Sequence, residues 1–344
     1  MKRRPPKRDI IIRWVLIGAA ALGVAVVITG WVIYTAELRP VDTKLPAPVP
    51  FSITPGESTP TIARQMEASG IIRSRWAFSV YVELHGLRRK IEAGYYELSP
   101  ADSTVTNAKI VARGIVVNKA FLVREGETIQ QIENQAASTW LRGVDLPTAL
   151  GDSYPNTFLA QRPASSSLEG YLFPDTYEIA PSTSPHQLIQ AMLNNFGQKV
   201  TPGIVTGMAA KGLTLHQGIT LASIIQSEVS HPADMPVVAQ IFYKRLSLGM
   251  PLESSVTAFY GADQLGLTNV TEANAASVNS PYNTYIHTGL PPGPISNPGL
   301  AAINAVVSPS NTDYLYFIAD KQGNTHFETT FAQHEADVSQ YLGQ

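Results

Sequence analysis

The stretch LASIIQSEV, residues 221–229, repeats its apolar residues at the spacing of a helix. Leu221, Ile224, Ile225 and Val229 gather on one side of a 3.6-residue turn. Glu228 falls on that side too, while Ser223, Gln226 and Ser227 take the other. Upstream, Thr214-x-x-Gln217 reads as a capping box, which sets the register of a helix predicted over 214–230 and leaving at His231-Pro232. A carboxyl group on the apolar side near a helix C-terminus meets two effects that favour its neutral form, desolvation and the negative end of the helix dipole. A carboxylic acid kept protonated near neutral pH is what a general acid requires. A solvated carboxylate at a frayed helix end has the same spacing, and periodicity does not separate the two.

Outward from this helix, further helices are predicted over 184–199, 234–248 and 298–307, with a final one from Thr330. The run YLYFIAD, 314–320, reads as a strand, followed by a turn at Gly323 and a second strand around His326. After Gly249 a polar loop is expected, carrying Glu253, Ser254, Ser255 and Thr257 ahead of Phe259-Tyr260. The segment SPYNTYIHTGLPPGPISNPGL, 280–300, holds Tyr282, Asn283, Tyr285 and Asn297 among its prolines. Proline lowers the entropy lost on ordering such a loop, and loops of this length are often functional. Amides and aromatic rings on a rigid loop suit sugar hydroxyls and sugar faces. A structural cross-over pinned by prolines would look the same.

The first half contains an internal echo. Phe51-x-Ile53-x-x-Gly56-Glu57-Ser58 recurs as Phe121-x-Val123-x-x-Gly126-Glu127-Thr128, and Ile62 and Ile132 keep the offset. Each copy reads as strand, turn, capping hydroxyl and helix. Such a unit resembles the opening of a LysM-type module, which in other proteins holds glycan chains; a generic strand-turn-helix start has the same spacing. Trp76–Leu87 is helical in pattern and Gly94–Leu98 strand-like. The Ser-, Pro- and Gly-rich residues 141–165 suggest a boundary.

Ahead of these, Trp14 to Tyr34 carries no charge over about twenty residues, the length that spans a bilayer. Trp14, Trp31 and Tyr34 mark its ends, and Lys2, Arg3, Arg4, Lys7, Arg8 and Arg13 precede it. The positive-inside rule places the N-terminus in the cytoplasm and the rest outside. The run is long for a signal peptide, and ITGWVIYTAELRP is a poor cleavage site. A proline-rich spacer follows, PVDTKLPAPVP at 40–50, which should be extended and stiff.

Composition narrows the chemistry. The 344 residues include no cysteine, which excludes thiolate catalysis and cysteine-based zinc sites. A net charge of −2 gives no general argument for nucleic acid. The seven histidines show no HExxH spacing, so no metal is expected. Gly151-Asp152-Ser153 lacks the strand-borne GxSxG elbow of a serine hydrolase. No phosphate-binding glycine loop is present, and no cofactor is expected.

Linked motifs identify a family resemblance. LEGYLFPDTY (168–177), LASIIQSEV, FYKRLSLGMPL, SPYNTY, GLPPGPISNPG and TDYLYFIAD with His326-Phe327 together resemble the endolytic murein transglycosylase (YceG-like) family, from about residue 50 to the C-terminus. The resemblance implies cleavage of the β-1,4 bond between N-acetylmuramic acid and N-acetylglucosamine within peptidoglycan strands, leaving 1,6-anhydro ends. It puts the family's catalytic glutamate at Glu228, acting as acid and then as base. It also marks Glu169, Tyr171, Ser254, Thr257, Tyr260, Tyr282, Asn283, Tyr285 and Asn297 as candidates for binding the glycan. One departure stands out. The family commonly has Asp-Pro-Thr after GMPL, whereas this chain has Ser255-Val256-Thr257, so that either the aspartate is dispensable, Glu253 or Glu169 replaces it, or rate or specificity is altered. For Glu169, a buried carboxylate bonded to backbone amides is the competing role.

The expected architecture is α+β: a basic cytoplasmic tail (1–13), one transmembrane helix (14–34), a spacer (35–50), a small LysM-like α+β domain (51–140) and a mixed α+β catalytic domain (141–344). The expected setting is the inner (cytoplasmic) membrane, with the catalytic part periplasmic, peptidoglycan strands as substrate and peptidoglycan synthases as partners. Such an enzyme would end the growth of nascent strands. A muramidase-type hydrolase and a non-catalytic peptidoglycan-binding scaffold are the competing functions.

Overall fold

The computed structural model describes residues 7–44, 47–138, 145–181 and 183–343. In order, its principal elements are α1 (Lys7–Glu37), β1 (Val49–Ile53), α2 (Thr59–Ala68), α3 (Arg75–Leu84), β2 (Gly94–Leu98), α4 (Thr104–Ala112), β3 (Lys119–Val123), α5 (Ile129–Ser138) and α6 (Leu146–Leu150). There follow β4 (Asp175–Ile179), α7 (Pro185–Lys199), α8 (Pro202–Ala210), α9 (Leu215–Glu228), α10 (Met235–Ser247), α11 (Ser255–Gln264), α12 (Leu300–Val307), β5 (Tyr316–Ala319), β6 (Thr325–Glu328) and α13 (Phe331–Asp337). Two compact units result, one from Met1 to Lys119 with Ala180–Ser182, the other of Ala120–Ile179 and Thr183–Gln344. The mixed α and β composition agrees with the expected class.

In the first unit, β1 and β2 pair antiparallel, with Phe51 opposite Tyr96 and Ile53 opposite Gly94. Alternation turns Phe51, Ile53, Tyr96 and Leu98 inward, onto Ile62 and Met66 of α2, Phe78 and Val82 of α3 and Val111 of α4. Ser58 and Ser74 cap α2 and α3 by accepting from Thr61 N–H and Ala77 N–H. One stretch of α1, Ile12–Glu37, is long and apolar enough to cross a bilayer. The helix runs past the expected end at Tyr34, and the start of the expected spacer is bonded rather than free. Thr104 N–H donates to Leu38 C=O at 3.0 Å and Val41 N–H to Pro100 C=O at 2.9 Å. Arg73 reaches Pro40 C=O at 2.7 Å and Val41 C=O at 3.0 Å. Leu45 and Pro46 of the spacer, and Lys2, Arg3 and Arg4 of the tail, lie outside the described residues.

The echo is structural as well. Phe51, Ile53 and Ile62 are buried in the first copy, Phe121, Val123 and Ile132 in the second. Gly56 and Gly126 both turn at φ +83°, a left-handed conformation that glycine adopts without steric cost. The copies nevertheless belong to different units. β1 pairs with β2, whereas β3 pairs with β4 and packs its apolar face into the second core. The two compact units divide at Lys119–Ala120, and residues 139–144, around the expected boundary, lie outside the described residues.

The second unit is built around α9. Its capping box is formed, and every residue from Leu215 to Ile225 except the exposed Gln217 is buried. Helices α8, α10, α11 and α12 pack against it. The serine-bearing side of α9 faces the proline-rich loop rather than water. Ile295 N–H donates to Ser223 Oγ at 3.0 Å, Ser227 and Ser296 hydroxyls meet at 3.1 Å, and Gly299 N–H donates to Gln226 at 3.0 Å. His216 Nε2 donates to Pro292 C=O at 3.0 Å. The loop is thus laid along the helix by its own backbone. β5 and β6 form an antiparallel hairpin, with α13 packed on both strands.

Candidate active site

Glu228 is the last residue of α9, and Val229 beyond it is extended. Val229 N–H still closes on Ile225 C=O at 3.2 Å, so the helix end is formed rather than frayed. The partly buried Glu228 carboxyl accepts from Ser254 Oγ at 2.5 Å. It opens on a concavity of about 200 Å³ shared with Arg245, Glu253, Ser254, Tyr285 and His334, floored by Phe242 and Phe317. Burial pushes its pKa up to about 7; the Ser254 hydrogen bond and Arg245 act downwards, and Glu272 upwards. At neutral pH a substantial fraction therefore carries the proton.

The wall opposite Glu228 is laced by hydroxyls. Ser254 N–H donates to Thr284 Oγ1 at 3.0 Å, Thr257 Oγ1 donates to Ser254 C=O at 2.6 Å, and the Thr257 and Thr284 hydroxyls meet at 2.8 Å. Thr257 thus fixes Ser254 from behind. Arg245 of α10 is buried. It donates to Leu315 C=O at 2.9 Å, to Leu252 C=O at 3.0 Å and to Glu253 at 3.0 Å, and lies over the Tyr316 ring. Glu253 turns at φ 52°, the one positive φ among non-glycine residues described. A left-handed glutamate is strained, and such strain concentrates where a loop is held for a purpose.

Ser254→Ala should shift the pH dependence in a defined direction. The hydroxyl stabilises the ionised carboxylate, so its loss raises the Glu228 pKa. If protonated Glu228 is the active form, the alkaline limb of kcat/KM moves up by on the order of one pH unit. A limb that stays in place or moves down would mean that Ser254 does not tune this group.

The remaining candidates divide. Glu228, Ser254 and Tyr285 share the concavity. Tyr260 and Tyr282 are partly buried and meet edge to face, 4.9 Å between ring centroids. Glu169, Tyr171, Asn283 and Asn297 are buried and committed inside the protein, which differs from the expected glycan-lining position. Asn283 donates to Ala275 and Val278 carbonyls at 3.0 and 2.8 Å. Tyr171 donates to His216 Nδ1 at 3.1 Å. Asn297 accepts from Leu172 N–H at 2.9 Å and donates to Glu127 C=O at 2.9 Å and to Glu169 at 3.1 Å. Glu169 accepts from Ile129 N–H at 3.1 Å, so it closes the start of α5. Burial pushes it up to about 8, against bonds from Ile129 and Gly170 N–H and from Tyr260. This is the competing role named for Glu169, a buried carboxylate bonded to amides. Amides and aromatic rings serve loop-pinning as well as sugar contact, and only burial distinguishes them.

Arg245, Thr284, Glu272 and His334 enter the site without having been singled out in the sequence. Thr284 sits inside SPYNTY and Arg245 inside FYKRLSLGMPL, so motif membership was their only signal. Residues 255–264 form α11 instead of the expected polar loop, which turns Ser255 towards Glu272 at 3.2 Å. A larger concavity, about 710 Å³, lies beside Arg162, Thr214, His216 and Pro292 at the start of α9. Its lining contains no carboxyl group, and its lining residues on α9, Thr214 to Thr220, are about 12–21 Å from Glu228 by helical rise. The smaller concavity, by contrast, is lined by two carboxyl groups, Glu228 and Glu253. No cluster of metal-ligating side chains occurs among the described residues.

Comparison with known proteins gives consistent matches. Residues 51–340 match the YceG-like family. An endolytic murein transglycosylase of Streptococcus pneumoniae serotype 2 is 30% identical over 337 residues, covering 89% of this chain and 60% of that protein. One of Bacillus subtilis is 30% identical over 322 residues, covering 89% of this chain and 88% of that protein. The chain thus spans about 60% of the length of the pneumococcal relative and most of the Bacillus one. A crystal structure of a yceG-like protein from Listeria monocytogenes superposes with TM-score 0.56 at 30% identity, over 84% of this chain and 98% of that one.

Proposed function

The chain belongs to the YceG-like family, and on that premise we propose that it is a membrane-anchored endolytic lytic transglycosylase acting on peptidoglycan. The observation that carries this reading is Glu228: a carboxyl group at the end of a buried helix, with pKa near 7, bonded to Ser254 in an open concavity. Protonated Glu228 gives its proton to the glycosidic oxygen between N-acetylmuramic acid and N-acetylglucosamine as the C1–O bond breaks. The resulting carboxylate takes the proton of the muramyl C6 hydroxyl while that oxygen bonds to C1. One proton enters and one leaves, no water is consumed, and a 1,6-anhydro end remains. A single carboxylate suffices because the nucleophile belongs to the substrate, whereas a hydrolase normally needs two.

One observation favours a second reading. Glu253 opens on the same concavity and could serve as the second carboxylate of a muramidase. Its ion pair with Arg245 at 3.0 Å supports a structural role instead. The new glycan ends in a digest of purified sacculi decide between them, anhydro for the first reading and reducing for the second.

The apolar Ile12–Glu37 stretch supports an anchor in the cytoplasmic membrane, with the basic residues before it inside and the residues after it outside. The first unit begins as a LysM-type module begins and returns in an antiparallel strand, which supports glycan holding. An anchored strand-cutting enzyme would meet newly made glycan beside its synthases and end strand growth there.

A further inference from the structure

The first unit carries an aromatic cluster that a soluble face does not explain. At the end of α1, Trp31 and Tyr34 lie 5.9 Å apart by ring centroid, and Trp76 of α3 meets Tyr34 edge-on, also at 5.9 Å. Tyr34 is buried by this contact, but Trp76 remains 54% exposed and Trp31 63%. The uncharged run from Trp14 to Tyr34 rises about 30 Å as a helix, the thickness of a bilayer's hydrocarbon core. If α1 spans, Tyr34 stands at the outer interface, and Trp76 stands at the same level because it touches Tyr34.

The contact is not a loose tether. Thr104 N–H to Leu38, Val41 N–H to Pro100 and the Arg73 guanidinium on the carbonyls of Pro40 and Val41 fix the exit of α1 to the body of the unit. Arg73 and Arg75 precede Trp76 in sequence, and Arg39 follows α1; all three are exposed. The acids nearby are Glu37, Asp42 and Glu67, the last within 3.7 Å of Arg75. Tryptophan is favoured in the interfacial layer, where its ring is shielded and its N–H stays wet, and arginine pairs with phosphate.

We propose that Trp76, supplied by the extracytoplasmic unit, is a membrane-contact residue. It sits in the interfacial layer of the outer leaflet beside Trp31 and Tyr34, with Arg73 and Arg75 at the level of the lipid phosphates. The first unit is then seated on the phospholipid surface instead of hanging from a spacer. This inference rests on the proposed anchor, and its test separates the two.

Full-length chains retaining one tryptophan each, Trp31 or Trp76, with the other tryptophans changed to phenylalanine, are reconstituted in phosphatidylethanolamine–phosphatidylglycerol vesicles. The lipids carry a nitroxide either at the headgroup or at mid-chain. Trp76 emission should fall with the headgroup label about as much as that of Trp31, and much less with the mid-chain label. Quenching of Trp31 without Trp76 would overturn the proposal while the anchor stands. Quenching of neither would remove the anchor and the proposal together. A Trp76 that responds to soluble glycan strands but to neither lipid label would assign this face to glycan, and would also overturn it.

Discussion

Glu228→Gln should remove glycan cleavage and keep the fold. Glutamine matches the carboxyl in shape and still accepts a hydrogen bond from Ser254. It can neither give a proton to the leaving oxygen nor take one from the C6 hydroxyl. General acid–base catalysis contributes typically about 10²–10⁴-fold, and here both steps are lost together, so the upper end of that range is expected. Stability gives an independent sign. The folded pKa of Glu228 is raised to about 7. The stability linked to its proton is present below the unfolded carboxyl pKa and is lost as pH rises through 7. Glutamine never ionises, so the variant should melt no lower than the parent, with a difference in its favour that grows from pH 5 to pH 8. Wild-type cleavage by Glu228→Gln would remove Glu228 from the chemistry. A large drop in melting temperature would mean that the carboxyl is a structural element.

Gly170→Ala should be the most damaging small substitution outside the concavity. Gly170 turns at φ +86°, and an added Cβ would lie 2.6 Å from the Pro294 side chain and 2.8 Å from Ile219. The left-handed conformation costs a non-glycine residue about 1–2 kcal/mol. Overpacking typically adds about 1–3 kcal/mol. Together these destabilise the second unit by roughly 2–5 kcal/mol, or about 4–20 °C at the 2–4 °C per kcal/mol of a domain this size. The strain falls where Pro294 meets α9, the seam that carries Ile295 and Ser296 onto Ser223 and Ser227. Activity should therefore fall even below the melting transition. Calorimetry of the unit's transition checks this, and a shift under about 2 °C would show that the loop yields freely.

The helical frame was legible wherever local rules decide. Thr214 and Gln217 fixed the start of α9, the helix expected over 184–199 became α7, and the seventy-residue offset between Phe51 and Phe121 carried through to burial. The pairing of the two copies was not legible. Strand partners are chosen by distant sequence, and β3 found β4 rather than a strand of the first unit. Residues 255–264 mix serine, β-branched residues and glycine, poor helix formers without a side-chain cap, and they become α11 because Ala258, Gly261 and Ala262 are small enough to be buried. Within the site, Glu228 could be placed by periodicity, but its proton could not. That depended on the burial of the carboxyl by surrounding elements, opposed by Ser254 and Arg245 and assisted by Glu272. Arg245 illustrates the same limit. In sequence it is a basic residue in the last turn of a helix, favourable to the dipole and unremarkable on a surface. In the structure it is buried and ties the 251–253 turn to Leu315, just ahead of β5.

In the proposed mechanism one carboxyl group moves a proton in each direction while the sugar's own hydroxyl closes the ring. The mass of the fragments released from purified sacculi by the full-length chain tests it most directly. Fragments lighter by one water than the corresponding hydrolysis products, absent with Glu228→Gln, are the expected result. Fragments that carry the added water and end in reducing sugars would contradict it.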